Sequence, residues 1–265
     1  LIQRLAGEAH APFCNEKVVC SDLGSRLFLA MSSVNPGAIA SCLYRVLLPK
    51  GVAWAKDNII KEIRRNLIWS LEKLCFSKES YQDGSKVLAL LAAAENETWG
   101  NNATGQFKQL FHIMLPGTEA TLQERLETLH YLKISGKEYE ELALECFDRA
   151  FDNGSFVRDG SGAQFGLQRK TDYMPKSNIE IVEYWEQCRD MLMSWLEEDK
   201  DILERTAKLS TSHAFRWAYD GMLGRMLPLL NMIADMKGGR WEEMYTALNK
   251  VNESRLSVYQ QDVQE

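Results

Sequence analysis

Side chains able to bind a metal, move a proton or attack as a nucleophile are thinly scattered along this sequence. The four histidines, His10, His112, His130 and His213, lie far apart, and neither His-Glu-x-x-His nor Cys-x-x-Cys occurs. Glu127 and His130 make one Glu-x-x-His, a spacing that sets both groups on one face of a helix. Di-iron bundles that use this spacing need a second copy and further glutamates, so a single copy reads as an exposed helical pair. No metal is expected.

Phosphate cradles need a glycine-rich loop opening onto a helix whose free amides meet the anion. The nearest candidate is Gly160-Ser161-Gly162 with Gly166 beyond it, which has the wrong spacing for the dinucleotide fingerprint. Lys170-Thr171 follows Arg169 where a P-loop places glycine, and no Gly-x-Ser-x-Gly elbow is present. The sequence therefore nominates no catalytic residue and no cofactor.

Two polar groupings are better suited to holding a partner. The first lies in WGNNATGQFKQLFHIMLPGTEA, residues 99 to 120, where Trp99, Asn101, Asn102, Thr104 and Gln106 form a polar-aromatic cluster. A helix-turn-helix joint, with Asn101 or Asn102 as a cap, Phe107 and Phe111 packing inward, Gly117 in a left-handed position and Thr118 capping the next helix, accounts for most residues of the phrase but does not fully require the cluster. The second is the run 153–178, whose Arg158, Arg169, Lys170 and Lys176 could meet acidic groups or phosphates. Trp99, Asn101, Asn102, Gln106, Arg158, Arg169, Lys170 and Lys176 are the candidate partner-binding residues. Lys61, Arg64 and Arg65 are also basic, but a solvated helix face explains them.

The elements that must carry these residues are helices. Ile59, Ile60, Ile63, Leu67, Leu71 and Leu74 recur every three or four residues, predicting an amphipathic helix over 57–75. Residues 84–98 read Val87-Leu88-Ala89-Leu90-Leu91-Ala92-Ala93-Ala94, apolar all round, as in a helix covered on every side. Further stripes predict helices at 107–115, 122–132, 137–151, 178–197, 200–209, 212–236 and 240–260, with the 212–236 helix kinked or restarted near Pro228. Asp22–Ser33 and Pro36–Leu48 complete the set.

No run of two-residue alternation persists, so no sheet is expected. Short turns and a pitch of roughly 35 to 45 residues per helix pair match HEAT-like repeats. The predicted class is all-α: stacked antiparallel helix pairs in a HEAT-like α-α superhelix, or an irregular helical bundle. Residues 1–265 are taken as a single helical-repeat domain. Residues 153–178, with their glycines and Pro175, interrupt it as a long surface loop insertion, with a small hairpin expected near Asp159-Gly160.

The 265 residues are 45% hydrophobic and 26% charged, which suits a folded globular chain rather than a disordered one. A net charge of −6 disfavours nucleic acid, whose backbone affinity comes from lysine and arginine. The six cysteines, Cys14, Cys20, Cys42, Cys75, Cys146 and Cys188, are spread among apolar neighbours and read as reduced, buried thiols. Asn-x-Ser/Thr triplets begin at Asn96, Asn102, Asn153 and Asn252 but carry meaning only in a secreted protein. No apolar run approaches the ~20 residues that span a bilayer, so no membrane is expected and the location expected is the cytoplasm. Leu1 opens directly in a helical phrase, which reads as a segment of a longer protein.

The phrase at 99–120, with the Leu90–Asn96 helix before it and the Leu122–Leu132 stripe after it, resembles helical C-terminal regions of large bacterial STAND-type NTPases, proteins associated with sensing invaders such as phage. The resemblance covers residues 85–200 and carries no catalytic motif. It implies that ATPase and effector modules precede this segment, which would be the scaffold that recognises a partner protein. The expectation is thus a non-catalytic helical scaffold for a protein partner, or alternatively a helical domain with a small-molecule or enzymatic site between helices. A pocket gathering Glu127, His130 or His112 would favour the latter.

Overall fold

The computed structural model describes residues 1–8, 10–152, 164–165 and 168–262, with side chains described as far as residue 252 except at 164 and 168. The fold is all-α, and the chain divides into two compact units, Leu1–Lys176 and Ser177–Glu265. The division falls at exposed Lys176 and Ser177, within the run that the sequence reads as an insertion into one domain.

In the first unit, the short helix α1 (Glu16–Val19) leads to α2 (Asp22–Ser32) and α3 (Pro36–Leu47). Their starts follow from their caps: Ser21 Oγ accepts from the Gly24 amide, and Asn35 Oδ1 accepts from the Ala38 amide ahead of Pro36 at the first helical position. Helices α4 (Gly51–Asn58), α5 (Lys61–Phe76) and α6 (Tyr81–Ala93) follow. The sequence predicts one helix over 57–75, but the chain breaks at Ile59 and Ile60. Both β-branched residues are extended, and Lys61 adopts a left-handed φ of 54°. That turn allows α4 and α5 each to pack on α6.

Helix α6 is the centre of this unit. It packs against α3, α4, α5, α7 (Ala103–Gln109) and α8 (Leu122–Ile134), and Val87, Leu88, Leu90 and Leu91 are wholly buried. Each such side chain contributes about 1.5–3 kcal/mol of burial, which makes α6 the main apolar anchor. In a solenoid each repeat touches only its neighbours, whereas one helix here meets five others, so this unit is an irregular bundle.

Helix α7 starts and ends earlier than the predicted 107–115, and Leu110–Ala120 is irregular. Gly117 has the expected left-handed φ of 76°, but Thr118 does not cap the next helix. That role falls to Thr121, whose hydroxyl accepts from the Glu124 amide while the Glu124 carboxylate accepts from the Thr121 amide, a reciprocal capping box. Helix α9 (Glu140–Ala150) completes the bundle. The hairpin predicted near Asp159-Gly160 lies outside the described residues. Against the expectation of no sheet, Gln164–Phe165 pairs antiparallel with Gln168–Arg169, the first strand β1 and the second β2.

The second unit holds α10 (Asn178–Glu198), α11 (Leu203–Tyr219), α12 (Leu223–Met236) and α13 (Glu242–Asp262). Tyr184, Trp185, Cys188, Leu192, Trp195 and Leu196 form the buried stripe of α10, and Met222, Met226 and Trp217 are buried in the same unit. The sequence places a kink or restart at Pro228. The break instead lies at Asp220–Met222, where Gly221 has a φ of 73°. Pro228 sits within α12 on its exposed side, and Gly224, whose carbonyl loses its helical donor, is exposed as well, so water can satisfy it.

Candidate functional site

Thr104 of the polar-aromatic cluster is tied to Glu95, a residue that no local spacing marks. One carboxylate oxygen of Glu95 accepts from Arg64 Nη2 at 2.9 Å and from the Asn96 and Glu97 amides at 3.0 and 3.1 Å. The other accepts from the Thr104 amide at 3.1 Å. The two amides after Glu95 turn toward its own side chain, which helps end α6 at Ala93 rather than at residue 98. The far end of the same carboxylate then fixes the start of α7.

Arg64 was expected on a solvated face and is wholly buried. Its Nη2 also donates to the Leu91 carbonyl at 2.7 Å, while Nε and Nη1 have no hydrogen-bond partner among the described residues. The helix spacing put Arg64 beside Lys61 and Arg65, but α5 turns this one position inward against α6. Arg65 remains exposed, its guanidinium 5.9 Å from the centre of the Trp99 ring.

The predicted partner-binding residues of this group are largely engaged. Asn102 is the N-cap of α7, accepting from the Gly105 amide at 2.9 Å and donating to the Glu97 carbonyl at 3.0 Å. The Trp99 indole donates to the Glu97 carboxylate. Gln106 is buried and accepts from Gln109 at 3.2 Å. Asn101 alone of the four is exposed.

The basic run separates in the same way. Arg158 lies outside the described residues, and Arg169 and Lys176 are exposed. Lys170 is held: its Nζ donates to Ser77 Oγ at 2.6 Å and to Glu119 Oε2 at 3.0 Å, and it lies 4.8 Å from the Phe165 ring centre. Phe165 rests against Phe76 with ring centres 6.5 Å apart. Asp172 accepts from the Gly117 amide at 2.6 Å, and the Tyr173 amide donates to the Thr118 carbonyl at 2.8 Å. This part of the insertion is stitched to the end of α5 and the linker before α8. Beneath Tyr173, buried Arg125 donates to the His112 carbonyl at 2.7 Å.

None of Glu127, His130 and His112 lines the cavity that opens on the second unit. Glu127 accepts from Gln82 at 3.0 Å, His130 is exposed, and His112 is buried. Desolvation lowers the His112 pKa to about 4, so its imidazole is neutral at pH 7. Among the described residues, no cluster of three or more His, Cys, Asp or Glu side chains could hold a metal ion. No described helix is long and apolar enough to cross a membrane.

A cavity of about 510 Å³ opens on the second unit. Glu204, Ala207, Lys208, Thr211 and Ser212 form one wall, a spacing that puts all five on one face of α11. Lys237, Trp241 and Glu243, from the end of α12 and the start of α13, form the other. Gly238 and Gly239, at φ of 65° and 75°, make the turn between these helices, and a side chain at either would be strained there. Lys237 spans the cavity to donate to both Glu204 oxygens at 2.8 and 2.7 Å. Beyond the cavity along α11, Phe215 and Tyr219 stand one turn apart at 49% and 77% exposure. The sequence shows these as ordinary aromatic residues of a helical stripe, and no motif marks them.

No family profile, curated protein or solved structure matches this chain.

Proposed function

We propose that this chain is a non-catalytic helical scaffold that binds a partner protein, using the surface of α11 in its second unit. The observation that carries this reading is the exposed aromatic pair Phe215 and Tyr219 beside an open cavity on the same helix. Large aromatic side chains standing in water gain most when a partner covers them, and they dominate measured binding energies at protein interfaces. The polar groups nominated from sequence are engaged within the first unit, Asn102, Gln106 and Trp99 in local hydrogen bonds and Lys170 with Glu119. The finer assignment, a sensor segment of a cytoplasmic bacterial defence NTPase of the STAND type, rests on the resemblance of residues 85–200.

The test compares the chain with Phe215→Ser/Tyr219→Ser, both immobilised and exposed to lysate of the source cells, with bound proteins quantified by mass spectrometry. One or more proteins should be retained by the wild-type chain and depleted at least about tenfold on the variant, the loss expected for about 1.4 kcal/mol of interface energy. Identical profiles would refute the use of α11.

A further inference from the structure

We infer that the cavity between α11 and the start of α13 receives a short peptide segment in which an apolar side chain is flanked by one acidic and one basic residue. This rests on the scaffold reading and adds the chemistry of the partner. The walls fix that chemistry through their charges. Glu204 and Lys237 neutralise each other through two hydrogen bonds, so neither offers a free charge. Lys208 on α11 and Glu243 on α13 are both exposed, and neither makes an ion pair among the described residues. The cavity therefore presents one uncompensated cation on one wall and one uncompensated anion on the other. Trp241, buried to 9% exposure, lines the cavity with an indole.

An occupant that matches all three features places an apolar group against the indole, a carboxylate toward Lys208 and an ammonium or guanidinium toward Glu243. A ligand of uniform charge would meet repulsion at one of the two walls. The openness of the walls decides between a peptide and a small molecule. Pockets for small molecules enclose most of the ligand surface, whereas Glu204, Lys208, Ser212 and Glu243 are all exposed and the volume opens on solvent. A side chain presented by a larger body needs no such enclosure, because the rest of its surface is covered by its own protein.

The test uses the whole chain and short fluorescein-labelled peptides centred on leucine, read by fluorescence anisotropy. The probes carry Glu then Lys, Lys then Glu, Glu at both positions, or Lys at both positions. The wild-type chain should bind one of the mixed-charge peptides at least about tenfold more tightly than either uniform peptide. Lys208→Glu should shift the preference to the doubly basic peptide, and Glu243→Lys to the doubly acidic one. Combining both substitutions should restore a mixed-charge preference with the order reversed. Both positions are on the surface, so the variants should fold, which circular dichroism verifies. Equal binding of all peptides, or a preference unmoved by either substitution, would overturn the inference. The wider scaffold reading is judged separately by depletion on the Phe215→Ser/Tyr219→Ser variant, which changes neither charged wall.

Discussion

Replacing Glu95 with alanine should unlock the joint between α6 and α7 far more than replacing its partner Arg64. Glu95→Ala deletes the acceptor of the Arg64 guanidinium and of the Asn96, Glu97 and Thr104 amides. What remains is a wholly buried arginine whose one hydrogen bond is to the Leu91 carbonyl. Removing one member of a buried ion pair costs about 3–5 kcal/mol, mostly because the other charge stays desolvated. Glu95 keeps 18% exposure, which lets some water reach the site, so the low end, about 3 kcal/mol, applies.

Arg64→Met removes the buried charge itself and keeps most of the stem volume, while Glu95 at the rim still accepts three amides. That change should cost about 1 kcal/mol. Hydrogen exchange followed by mass spectrometry on the intact chain reads this locally, without assuming that both units unfold together. Peptides from α5, α6 and α7 should exchange about a hundredfold faster in Glu95→Ala and about fivefold faster in Arg64→Met. Peptides from α10 to α13 should be unchanged. Equal effects of the two substitutions, or unchanged protection in Glu95→Ala, would refute the reasoning that a desolvated guanidinium depends on this one carboxylate.

Other consequences are as direct. His112, whose pKa falls from 6.5 in the open chain to about 4 in the fold, binds its proton more readily when unfolded. Its contribution is therefore full above about pH 6.5 and is lost as pH falls toward 4, amounting to about 2 kcal/mol after screening; urea titrations between pH 7 and 4 should show this slope, and His112→Gln should flatten it. Thr121→Ala should remove the α8 capping box at a cost of about 1 kcal/mol, seen in thermal unfolding as a drop of about 2–4 °C. Burial pushes the Cys20 thiol up to about 11, so at pH 8 it should alkylate with iodoacetamide about a hundredfold more slowly than an exposed thiol, and wholly buried Cys75 and Cys146 should react only on denaturation.

The local physics of each helix was readable from sequence wherever one stripe met one cap. Helix α10 extends from Asn178 to Glu198 against a predicted 178–197, because Ser177 supplies the cap and a continuous apolar stripe follows. Helices α2 and α3 match the predicted Asp22–Ser33 and Pro36–Leu48 to within a residue, with Ser21 and Asn35 as their caps. Periodicity failed where it continued across a break in the backbone. Ile59 and Ile60 keep the spacing of the α5 stripe although both lie in extended backbone before it, and the 212–236 stripe runs through the turn at Gly221. A stripe marks apolar side chains, and the turn keeps Ile59 wholly buried as a helix would, whereas Ile60 is 41% exposed although it holds the same spacing.

The candidate site divides along a similar line. Asn102 was legible as a cap because its partner, the Gly105 amide, is three residues away. Arg64 and Glu95 are separated by 31 positions, and nothing in the spacing of either helix predicts that they meet. The same holds for Lys170, whose carboxylate partner Glu119 lies 51 positions earlier and whose charge, read locally, looked free. In an all-α chain with few chemically distinctive motifs, an isolated basic residue reads as available until the fold shows which carboxylate it meets. Lys208 and Glu243 are informative for the opposite reason: the fold brings their helices together and leaves both charges without an ion pair among the described residues. An uncompensated pair of opposite charges beside a tryptophan is what a charge-matched partner can complete, and the second unit's own described side chains do not complete it.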